Sequence, residues 1–129
     1  MEDLIIPATH SSPEVSFCPR DEHFHIVGQS FVENTAKFYA PVLAWLKAYV
    51  QDPDFQRLQL TITLVYFNSS AFKVLMNLFD LLEETAKVQG KPIVVFWCYD
   101  QENEMAQEYG KEFQGDLKWI DFRMVEVSD

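Results

Sequence analysis

The apolar positions of this 129-residue chain change period several times. Val15 and Phe17 alternate with polar neighbours, the stretch from Cys18 to His23 supplies turn chemistry, and Phe24 and Ile26 alternate again. Period-two alternation on both sides of a turn predicts a β-hairpin, with His23 and His25 together on its other face. Two histidines at that spacing can bind a metal, but no third ligand stands near them, so they read as surface or half-buried side chains. Ser30 to Glu33 has the S-x-x-E form of a capping box and predicts a helix start. Phe38, Val42, Trp45, Leu46 and Tyr49 continue it as one helical stripe. Pro41 lies inside the stripe and cannot donate to Lys37, which predicts a kink or a broken first segment. The helix should end before Pro53.

Residues 58–67 place Leu58, Leu60, Ile62, Leu64 and Tyr66 on one face of a strand, and Thr61, Thr63, Val65 and Phe67 on the other. From about Ser70 to Gln89 the period is helical, with a stripe through Phe72, Leu75, Met76, Phe79, Leu82 and Ala86, and a second through Val74, Leu78 and Leu81. So wide an apolar arc has more to bury than one sheet face offers. Gly90 stops the helix, and Pro92 to Tyr99 is an unbroken apolar run of the kind found in strands covered on both faces. Residues 100–113 read as a short amphipathic helix, and residues 117–127 as a half-exposed strand. The order is β-β-α-β-α-β-α-β, an α/β layered fold of one domain over residues 1–129 with a mixed five-stranded sheet. The last three strands are expected to be parallel, joined by right-handed crossovers. Residues 1–12 are expected to pack loosely.

Composition narrows the function. Apolar residues make up 48% of the chain, enough for a packed core. Twenty acidic against ten basic side chains give a net charge of −10, which disfavours nucleic acid and anionic membrane as partners and favours a basic or mixed protein surface. Cys18 and Cys98 lie in apolar stretches without C-x-x-C spacing and read as buried thiols, in keeping with a reducing cytoplasm. The apolar run Leu4, Ile5 and Ile6 is too short for a signal-peptide core or a membrane span, so a cytoplasmic protein is expected.

Function in parallel sheets gathers where strands end and helices begin. Two segments meet that description, Asn68-Ser69-Ser70 and Asp100-Gln101-Glu102, and they share an edge if their strands are neighbours. Asn and Ser are favoured helix caps, which alone explains the first segment. A serine in a first helical turn also accepts phosphate well, because free N–H groups and the helix dipole stabilise the dianion. Lys73 stands four residues after Ser69 and can assist. No G-x-S-x-G elbow is present and the histidines His10, His23 and His25 are all N-terminal, which argues against a catalytic triad. The acids from Asp100 to Glu108 match neither an EF-hand loop nor a paired acid/base site. Four unclustered glycines provide no phosphate-cradling loop, and no cofactor is indicated. These features favour a binding module. The alternatives are a small metal-assisted hydrolase using the acidic loop at Asp100, and a constitutive scaffold or homodimer formed through the second helix.

Several segments carry a family resemblance. Ser12-Pro13-Glu14-Val15-x-Phe17, Gly28-x-Ser30, Glu33-Asn34, Phe38-Tyr39-x-Pro41-Val42-Leu43-x-Trp45-Leu46, Leu64-x-Tyr66-Phe67-Asn68-Ser69-Ser70 and Trp97-x-Tyr99-Asp100 together resemble the SiaC family of bacterial regulatory phosphoproteins. The resemblance implies a small domain similar to anti-sigma-factor antagonists of the STAS-like kind, working by partner switching. A protein kinase would phosphorylate Ser69, a PP2C-type phosphatase would remove the phosphate, and one form alone would bind a target such as a diguanylate cyclase, linking the switch to cyclic-di-GMP and biofilm formation. Asn68, Ser70, Lys73 and Asp100 would shape the acceptor loop and docking surface. The family usually has Thr after the Asn where this chain has Ser69, which bears on kinase preference. Cys98 stands where an aromatic is common, and Asn103 interrupts a run that is more acidic in the family.

Overall fold

The computed structural model describes residues 1–127. Its strands are β1 (Leu4–Ile6), β2 (Glu14–Cys18), β3 (His23–Ser30), β4 (Leu58–Phe67), β5 (Ile93–Asp100) and β6 (Asp121–Val127), with helices α1 (Thr35–Gln51), α2 (Ser69–Gln89) and α3 (Glu104–Asp116). The strands lie in one mixed sheet in chain order, β1-β2-β3-β4-β5-β6. β1 and β2 are antiparallel to their neighbours, and β3 to β6 run parallel. The sheet thus has six strands where five were expected. The additional one is β1, which pairs Leu4 with Phe17 and Ile6 with Val15 inside the segment expected to pack loosely. Three residues are too few for a periodic signal, so pairing to β2 supplies what the local pattern cannot.

The hairpin forms as the alternation predicts, turning through a short 3-10 segment, Pro19–Asp21, and Glu22 at φ 51°. Helix α1 starts later than the S-x-x-E pattern predicts. Ser30 is held in the β3–β4 ladder opposite Phe67, so it cannot cap, and Asn34 takes that role by accepting from the Lys37 N–H at 3.0 Å. Pro41 lies within one continuous helix, without the predicted break. Its ring is exposed, on the side where water can satisfy the carbonyl of Lys37. The buried face of α1 is Thr35, Tyr39, Val42, Leu46 and Val50, with Phe38, Trp45 and Tyr49 half-buried beside it.

All three helices cover the same face of the sheet. Leu60, Ile62 and Leu64 of β4 and Val95 and Trp97 of β5 are buried, whereas Thr61, Thr63, Val94, Phe96 and Cys98 face outward and are only half-buried. The prediction that residues 92–99 are covered on both faces is therefore corrected. Parallel strands that follow one another in space by same-handed crossovers put every helix on one side. The apolar arc of α2 finds cover at both flanks, with Leu75, Leu78, Phe79 and Leu82 buried and Phe72 stacked on Phe113 of α3 at 4.9 Å. Trp97 anchors the centre, donating from Nε1 to the Ala106 carbonyl at 2.8 Å. Gly110 leaves the room for it, since a Cβ there would stand 2.5 Å from the indole.

Candidate functional site

Three helices begin at one edge of the sheet, and an asparagine caps each: Asn34, Asn68 and Asn103. Asn is favoured there because its short carbonyl arm reaches a free first-turn N–H. Asn68 Oδ1 accepts from Ala71 at 2.9 Å. Its own N–H donates to the Ser30 carbonyl at 3.1 Å, which extends the β3–β4 pairing into the loop. Ser69 and Ser70 are the first two residues of α2, and both are exposed. Their N–H groups lie at the positive end of the helix, where an anion is stabilised. Lys73 is exposed one turn further on and forms no ion pair among the described residues.

The second loop meets the first because β4 and β5 are neighbours. Asp100 ends β5, and its Oδ1 accepts from the Glu102 N–H at 2.8 Å, closing a tight turn. Asn103 then does two things. Its Oδ1 accepts from Ala106 at 3.1 Å to cap α3, and its Nδ2 donates to the Val65 carbonyl at 2.8 Å, tying the acidic loop to the end of β4. Sequence reasoning weighed Asn103 only as a gap in an acidic run. The recurrence of Asn at all three strand-to-helix junctions was the signal that could have singled it out.

A buried pair steadies this edge from below. The hydroxyls of Ser30 and Tyr39 lie 2.8 Å apart, and burial pushes the Tyr39 phenol above its ordinary pKa while the bond to Ser30 pulls the other way. The edge also presents apolar surface. Val65 and Tyr66 are 61% and 47% exposed, and Phe31 packs edge-to-face with both Tyr66 and His10. Exposed aromatics beside a polar loop are typical of protein contact surfaces.

The edge thus gathers Asn68, Ser69, Ser70 and Asp100, with Lys73 one turn away. His23 and His25 lie elsewhere, in van der Waals contact on the open face of β3 with ring centroids 4.3 Å apart. Among the described residues no group of three or more His, Cys, Asp or Glu side chains is placed to hold a metal. No described helix is long and apolar enough to cross a membrane.

Residues 6–127 match the profile of the SiaC family of regulatory phosphoproteins. A curated protein of Pseudomonas aeruginosa strain UCBPP-PA14, itself uncharacterised, is 34% identical over 119 residues, which are 92% of this chain and 93% of that one. The solved structure of SiaC from Pseudomonas aeruginosa superposes with a TM-score of 0.89 at 30% identity, covering 98% of this chain and all of that one. The crystal structure of the diguanylate cyclase SiaD in complex with its activator SiaC from the same organism gives a TM-score of 0.89 at 31% identity, covering 97% of this chain and all of the matched one.

Proposed function

Because the chain belongs to the SiaC family of regulatory phosphoproteins, we propose that it is a switch whose Ser69 is reversibly phosphorylated to control the binding of a diguanylate cyclase. The family is one of regulators and not of enzymes, which sets aside the hydrolase reading of the acidic loop. The cyclase is the partner class suggested by the solved complex of the Pseudomonas relative. Kinase and phosphatase act in turn on one hydroxyl in this reading, the scheme of anti-sigma-factor antagonists, in the cytoplasm where ATP is at hand.

The observation that carries the reading is the position of Ser69. It is exposed, it opens a 21-residue helix, and the preceding Asn68 already caps that helix, so the serine is free for chemistry. A phosphate there meets the helix dipole favourably, on an edge that also exposes Tyr66. Asp100 and Glu102 across the edge form no ion pair among the described residues, so the added dianion changes the sign and shape of the surface without being neutralised. Ser70 serves as a supporting hydroxyl and Lys73 as the local cation. Incubation with the cognate kinase and ATP, followed by mass-spectrometric mapping, tests the assignment. Phosphate on Ser69 that disappears in Ser69→Ala is expected, and label elsewhere that survives the substitution would refute it.

A further inference from the structure

At its carboxyl edge the sheet comes apart. β4 pairs with β5 from Leu58 opposite Ile93 to Ile62 opposite Trp97, and no further. β4 nevertheless stays paired with β3 as far as Phe67, and β5 with β6 as far as Asp100 opposite Val127. The two central strands part over their last residues, and an open cleft of about 600 Å³ lies between them. Thr63 and Val65 form one wall, Cys98 and Tyr99 the other, and Asp100 and Glu102 stand at the rim. The hydrogen bond from Asn103 to Val65 spans the gap.

The charge of this cleft is one-sided. Among the described residues no lysine, arginine or histidine lines it. Asp100 uses Oδ1 in its turn, while its Oδ2 and the carboxylate of Glu102 have no partner among the described residues. The positive end of α3, about half a charge, lies close, but Asp100, Glu102 and Glu104 outweigh it. An apolar slot with a carboxylate rim suits a long cationic side chain, whose stem lies against aliphatic and aromatic walls while its head meets the acids.

We propose that the split between β4 and β5 is a socket for an arginine, flanked by aliphatic residues, on an exposed segment of the partner protein. The inference deepens the switch reading and rests on it for the identity of this edge as the docking surface. Arginine fits better than lysine because its planar fork can engage the two rim carboxylates together.

The test is an NMR titration of the whole unphosphorylated chain with two probes, acetyl-Leu-Arg-Leu-amide and acetyl-Leu-Glu-Leu-amide. Shifts centred on the amides of Val65, Cys98 and Asn103 are expected with the arginine peptide alone. Asp100→Asn or Glu102→Gln should each weaken that binding by about fivefold, and added salt should weaken it further. Cys98→Phe, which fills the slot, should abolish it. The titration uses neither kinase nor phosphate, so failure of phosphate control and failure of the socket are read separately. Equal shifts with both peptides, shifts outside the cleft, or binding undiminished in the rim variants would overturn the inference.

Discussion

The side-chain amide of Asn103 donates to the main-chain carbonyl of Val65 at 2.8 Å, across the gap where β4 and β5 have ceased to pair. That single bond, together with the cap that Asn103 gives α3, fixes the acidic loop relative to the strand leading into Ser69. Replacing Asn103 with Ala removes both the cap and the bridge, and should destabilise the protein by about 1–2 kcal/mol. Chemical denaturation measures the loss, and hydrogen exchange should show faster exchange concentrated at Val65 to Ser70 and at the start of α3. Exchange that speeds up evenly over the whole chain would mean that the bridge is not what orders this edge.

Glu83 of α2 offers a second test of how loops are held. Its carboxylate accepts from the backbone N–H groups of Lys118, Trp119 and Ile120 at 2.6, 2.7 and 2.9 Å, binding the entry to β6. Glu83→Ala leaves three donors with water as their one replacement acceptor, and should cost about 1–3 kcal/mol. Glu83→Gln, which keeps one acceptor oxygen, should fall between parent and Ala in melting temperature.

Gly110 should not tolerate a side chain. A Cβ would stand 2.5 Å from the Trp97 ring and 2.7 Å from the Met124 methyl, and Trp97 is fixed by its bond to Ala106. Gly110→Ala gains helix propensity but overpacks the core, so a net loss of about 1–3 kcal/mol is expected in denaturant titration.

Alkaline stability should depend on Tyr39. Its phenol is pushed upward from an ordinary value of 10.0 by burial, so the folded state holds the proton more tightly than the unfolded state. The stabilisation is fully present below pH 10.0 and is lost as pH rises from there through the folded pKa. Unfolding free energy should therefore fall above that pH, and Tyr39→Phe should flatten the fall while losing the bond to Ser30. Tyr49, raised by burial and by the charges of Glu22 and Asp52, contributes in the same direction and remains in the variant.

Long periodic segments were legible in the sequence. The alternation around Phe17 and Phe24, the arc of α2 with Gly90 beyond it, and the β4 pattern each state their element, because each has enough residues for its period to show. What was not legible is set by partners far along the chain. Ser30 looks like a helix cap until Phe67 claims it for the ladder, and β1 exists only because β2 offers a free edge. The run from Ile93 to Asp100 reads as doubly covered because Val94, Phe96 and Cys98 are apolar, though they face the open side. The meeting of Asn68, Ser69 and Asp100 at one edge followed from placing β4 beside β5. The bridge from Asn103 and the split below it did not, since neither has a local pattern.

The central claim is that phosphate on Ser69 governs partner binding. Calorimetric titration of the proposed diguanylate cyclase partner with the chain carrying either free serine or genetically encoded phosphoserine at position 69 tests it most directly. The account predicts dissociation constants that differ by at least about tenfold, or 1.4 kcal/mol, between the two forms, with Ser69→Ala following the free serine. Equal affinities for both forms would contradict it.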